Sequence, residues 1–167
     1  MKNLTAILLG LLIGIPGFSQ TTENKDNEFS MNAQLRPRAE YRNGVLFPHD
    51  DGAEAAGFIN NRARISMDYK RDKLGLGFSV QQVGVWGQDP QVAKTGRMML
   101  SEAWANLNLG DGFFMKLGRQ ALAYDDDRIL GTLDWHVSGR HHDALKMGYE
   151  NAQNKLHLIL AFNQNGD

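Results

Sequence analysis

The chain has no cysteine among its 167 residues. A disulfide framework and a cysteine-ligated metal site are therefore excluded, as is a lipid anchor carried on cysteine. There is no charge surplus either: the formal net charge is −1, so bulk electrostatic attraction to nucleic acid is not expected. No segment spaces its apolar residues every three to four positions, as an amphipathic helix would. The length is that of one domain.

One apolar run stands out. Leu4 to Ile15 follows the positive Lys2, and Pro16 and Gly17 break it. It is too short for a comfortable helical span, and small residues at Gly17 and Ser19 suit cleavage before Gln20. Residues 1–19 are expected to be a signal peptide, and 20–28 a polar linker. The body of the chain is then 29–167.

Beyond the linker the period is two. Phe29, Met31, Ala33, Leu35, Pro37, Ala39 and Tyr41 alternate with Ser30, Asn32, Gln34, Arg36, Arg38 and Glu40. That pattern is a half-buried strand. Its thirteen residues exceed the ~9–11 that a tilted strand needs to cross a bilayer. Pro37 cannot donate to a ladder, so a bulge or gap is expected there. Six more segments alternate: 58–70, 74–81, 98–109, 113–118, 145–150 and 155–162. The phase slips at Gln82, which predicts a bulge before Trp86.

Long connections (42–57, 87–97, 121–142) take turns with short ones (71–73, 110–112, 151–154). Outer-membrane barrels are built this way, short on the periplasmic side and long outside. Phe29, Tyr69, Phe113 and Tyr149 fall at the short-turn rim on the apolar phase, and Tyr41 at the opposite rim, as interface girdles do. The predicted fold is all-β: an antiparallel up-and-down transmembrane β-barrel, here an N-terminal sector of about seven strands. Seven strands leave two unpaired edges, which lipid does not tolerate, so a larger barrel is expected.

The stretch Leu117–Ala144 has no strand or helix period through its middle. It gathers Arg119, Arg128, Arg140, Asp125, Asp126, Asp127, Asp134, Trp135, His136, His141 and His142. Glycines at 118, 131 and 139 give it the punctuation of a shaped loop. Its fixed points are Gly118, Arg119, Gln120, Leu122, Tyr124, Asp126, Arg128, Leu130, Gly131, Asp134, Trp135, Gly139, Arg140, Asp143 and Ala144. That pattern resembles the alginate-export family of bacterial outer-membrane β-barrels. The resemblance implies a passive channel for an anionic polysaccharide, an alginate-like uronate polymer, with arginines lining its path.

Arg36, Arg38, Arg62 and Arg64 lie on the polar phase of adjacent strands and, with Lys116, are the candidate path residues. Arginine offers fixed, forked donors to carboxylates. The alternative is that these arginines pair with Glu40, Asp68 and Glu102 and merely hold the wall together. The long loop is a candidate constriction, carrying Arg119, Asp126, Arg128, Asp134, Trp135, Arg140 and Asp143, or else an ordered external cap. Trp135 is expected to pack as its anchor. On the strands' polar phases eight cations outnumber four acids, and Arg119 is the one charged strand residue on the lipid phase, so an anion-preferring lumen is predicted.

Two other functions fit the same pattern: a porin for small anions or oligosaccharides, and a truncated barrel fragment. Catalysis is not expected. The adjacent His141 and His142 miss zinc spacings, Ser138 lacks a nucleophile elbow, and Asp125–Asp127 lacks the Gly and Glu of a calcium loop. No metal or cofactor is expected. The expected partners are outer-membrane lipid and the transported anion, and nucleic acid is not among them.

Overall fold

A computed structural model of the chain describes residues 27–43, 52, 54–88 and 98–161. The expected signal segment, most of the expected linker and most of the first two long connections lie outside the described residues. Seven strands form one sheet: β1 (Asn27–Arg42), β2 (Ala56–Arg71), β3 (Leu74–Val85), β4 (Met98–Gly110), β5 (Phe113–Gln120), β6 (His142–Glu150) and β7 (Lys155–Ala161). Each pairs antiparallel with its sequence neighbours, in the order β1 to β7. The sheet is open, with β1 and β7 at its edges. β1 begins at Asn27, so the strand takes in two residues expected in the linker.

The short turns follow from their residues. Asp111 and Gly112 both take positive φ, 51° and 85°, as a two-residue hairpin turn demands. Asn151 folds the β6–β7 turn by accepting from the backbone N–H groups of Gln153 and Asn154.

Of two expected irregularities one is absent and the other falls elsewhere. Pro37 pairs with Asn61 in an unbroken register, without bulge or gap. β1 is an edge strand of this sheet, where a missing N–H is tolerated if it points away from β2. The β2–β3 register also runs evenly past Gln82 to Val85. The slip lies in β4, where Glu102 and Leu100 face the consecutive Ser79 and Val80, which makes Ser101 the extra residue.

Burial is inverted relative to a soluble sheet. Among the described residues the buried hydrophobic side chains are Leu122 and Ala144, whereas Asn60, Arg62, Ser79, Gln81, Ser101 and Gln120 are buried and polar. Leu35, Ile65, Phe78, Leu117 and Leu158 are exposed, Leu35 to 70%. All five sit on the apolar phase of their strands. An apolar face opposite a polar one is the pattern of a sector of a barrel wall. At the short-turn rim Phe29 faces Tyr69 in register, and the rings of Phe113 and Tyr149 lie 4.9 Å apart.

Candidate functional site

The β1–β2 register sets Arg36 directly opposite Arg62, Gln34 opposite Arg64, and Arg38 opposite Asn60. Alternation puts all of them on the polar face. Like charges placed opposite each other repel, and polar partners offset the cost. Arg38 donates from Nε and Nη2 to Glu40 Oε1 at 2.9 and 2.6 Å. Arg42 and Asn60 also donate to Glu40. Arg62 is wholly buried, and its Nε donates to Gln34 at 3.0 Å. Arg64 donates from Nε and Nη2 to Gln81 at 2.8 and 2.5 Å. Of the three acids expected to pair with these arginines, Glu40 does so. Glu102 instead accepts from the Trp104 indole at 3.0 Å.

The connection between β5 and β6 folds back across this face. Asp134 meets Arg36 Nη1 at 3.1 Å and Arg62 Nη2 at 2.6 Å. Arg36 Nη2 donates to the His136 carbonyl at 3.0 Å, Arg38 to the Trp135 carbonyl, and Gln81 to the Ser138 carbonyl at 2.8 Å. At the other flank the Tyr124 hydroxyl meets His157 of β7 at 2.8 Å, and His157 in turn meets Glu150 at 2.7 Å. The connection therefore touches the sheet at both edges. Arg62 holds the Asp134 carboxyl below its ordinary value, with Arg36 and Arg64 adding to the effect.

Local backbone geometry makes this crossing. Leu133 takes φ 47°, a conformation costing an L-residue roughly 1–2 kcal/mol, and it aims the next residue, Asp134. The His136 N–H closes on the Leu133 carbonyl at 2.9 Å, and the Arg140 N–H on that of Thr132 at 2.7 Å. Gly118 combines φ 120° with an approach to Ala103 so close that a methyl would strike its carbonyl. Only glycine lets β5 press on β4 there.

The remaining candidates lie elsewhere. Arg119 and Asp143 are register partners on the apolar face, joined by two 2.8 Å bonds. Asp143 thus joins Arg119 as a charged strand residue on that face. Asp126 and Arg128 pair with each other at 2.8 Å in an exposed turn. Arg140 is exposed and contributes its backbone N–H. Trp135 does not pack as an anchor: 69% of it is exposed, its ring meets His136 edge-on, and it holds the loop through its carbonyl. Lys116 lies over the Trp104 ring, 3.7 Å from its centroid.

Sequence reasoning missed Gln34, Gln81, Tyr124 and His157 as the groups that fasten this arrangement. The polar phase of Gln34, Gln81 and His157 was the available signal. Among the described residues no group of three or more histidines and acids is placed to hold a metal. His136 Nδ1 meets Ser138 Oγ at 2.9 Å. Burial, reinforced by Arg119, pushes His141 below its ordinary value.

No curated protein and no solved structure matches the chain. The family described as Alginate export matches residues 21–164. It is an outer-membrane transport family associated with polysaccharide export. The match takes in all seven strands and the connection folded across them, and the chain belongs to the alginate export family.

Proposed function

We propose that this chain supplies one sector of an outer-membrane conduit through which an anionic polysaccharide moves passively, with Arg36, Arg38, Arg62, Arg64 and Lys116 on its inner wall. The observation that carries this reading is the cation surplus beneath the folded-back connection. Arg36, Arg62 and Arg64 share one patch, and among the described residues Asp134 is the one carboxylate in ion-pair contact with it. A wall built only for its own stability has no reason to set Arg36 against Arg62. Fixed guanidinium charges on a confined face attract carboxylates without a unique pose, which suits a polymer that must bind and also leave.

In this reading residues 121–141 form a constriction, and the Asp134 carboxylate stands where a uronate carboxylate would otherwise meet Arg62. The exposed apolar band faces lipid after residues 1–19 are removed. Reversal potentials of the full-length protein in a salt gradient across a planar bilayer test the reading. Anion selectivity is expected, and Arg62→Glu with Arg64→Glu should weaken or invert it. Cation selectivity of the unmodified protein would overturn the assignment. A chloride current indifferent to added oligouronates would mark a porin for small anions instead.

A further inference from the structure

A second cationic place lies on the same face, toward the short turns. Lys116 and Lys146 are directly opposite each other in the β5–β6 register. Both line an open cleft of about 560 Å³, together with Trp104 and Phe114. Two like charges so placed repel, and what holds them is aromatic. Lys116 Nζ lies 3.7 Å from the Trp104 centroid, and Lys146 Nζ lies 5.5 and 5.0 Å from those of Phe114 and Tyr124.

Two of these rings press on a glycine. A methyl at Gly77 would collide with the Trp104 indole, and one at Gly148 with the Phe114 ring. The unit of glycine, ring and ammonium thus occurs twice. Among the described residues neither lysine is in ion-pair contact with an acid: Glu102 and Asp68 act on Lys116 only through space, Glu102 accepts from Trp104, and Glu150 meets His157. The cleft's acids besides Glu150, namely Glu28, Asp68 and Asp72, belong to β1, β2 and the turn after β2. A cation–π contact positions an ammonium without cancelling its charge.

We infer that Lys116 and Lys146 form a binding site for the carboxylate of a uronic-acid residue, separate from the arginine patch. The ring edges of Trp104 and Phe114 that line the cleft give the C–H groups of the sugar an apolar contact. The choice of ligand rests on the conduit reading.

Calorimetric titration of the full-length protein in detergent with a uronic-acid tetrasaccharide, and with a neutral tetrasaccharide beside it, tests the site. Lys116→Gln and Lys146→Gln should each weaken uronate binding about tenfold. Heat-modifiable mobility on gels would show that each variant is folded, and Lys116→Arg should restore binding. Unchanged affinity in a folded double variant, or equal affinity for the neutral sugar, would overturn the site. Lysine-dependent binding in a pore that proves cation-selective would remove the conduit reading and leave the site standing. An anion-selective pore with lysine-independent binding would do the reverse.

Discussion

Arg62 donates to Asp134 at 2.6 Å across 72 positions of sequence. The arginine side chain is fully buried, and that of the aspartate is 61% exposed. The two partners are therefore unequal. Asp134 released from the pair returns to water, whereas Arg62 is left as a buried charge, which is the costlier state. Arg62 depends on the connection more than the connection depends on Arg62.

Asp134→Asn keeps the shape of the side chain and removes its charge. It should weaken docking of the β5–β6 connection by about 1–3 kcal/mol. Limited proteolysis of the full-length protein should then cut faster between residues 121 and 141. Adding Arg62→Gln should cost less than the sum of the two single changes. Strictly additive effects would show that the two residues do not act as a pair.

The same contact sets a pH dependence. The folded Asp134 carboxyl lies below its ordinary 3.8, chiefly because of Arg62. For a depressed carboxyl, the stabilisation is complete above the unfolded value and disappears as pH falls through the folded one. Protease protection of the connection should therefore persist down to pH ~4 and fall below it, while Asp134→Asn should show a smaller fall there. A loss of protection already between pH 7 and 5 would report His141, whose burial favours the neutral ring.

The face carrying this pair could be read from the sequence because a period of two assigns faces without knowledge of neighbours. It put Arg36, Arg38, Arg62 and Arg64 together, and the register sets Arg36 on Arg62. The bulge was misplaced because Leu100, Ser101 and Glu102 sit where alternation in β4 is weak. The crossing of the β5–β6 connection was legible only as one of two alternatives, a constriction or an external cap. It is held largely by the carbonyls of Trp135, His136 and Ser138, and backbone acceptors leave no mark in side-chain pattern.

Trp135 illustrates the difference. A tryptophan among polar residues reads as an anchor, yet its ring is mostly in solvent and its carbonyl meets Arg38. Trp135→Ala keeps that carbonyl, so it should change loop cleavage by less than about 0.5 kcal/mol. Asp134→Asn should have the larger effect. Cleavage accelerated by Trp135→Ala to the level of Asp134→Asn would restore the indole as the anchor.

Arg119 and Asp143 pose the opposite problem, two charges on the face that should be apolar. They are register partners in β5 and β6 and share two bonds of 2.8 Å. Arg119 also donates to the Leu100 carbonyl at 3.3 Å. Both lie at the end of their strands nearest the long connection, where an arginine facing lipid costs only ~0–1 kcal/mol. Asp143→Leu keeps the arginine and removes its bidentate partner, so it should destabilise by about 1–3 kcal/mol. Arg119→Leu combined with Asp143→Leu leaves no charge unpaired and adds apolar surface to the band, so the double variant should equal or exceed the unmodified protein. Urea unfolding of the full-length protein in lipid vesicles measures all three. If the double variant proves less stable than Asp143→Leu alone, the pair is not a self-compensated charge on the apolar face, and Arg119 serves through Leu100 instead.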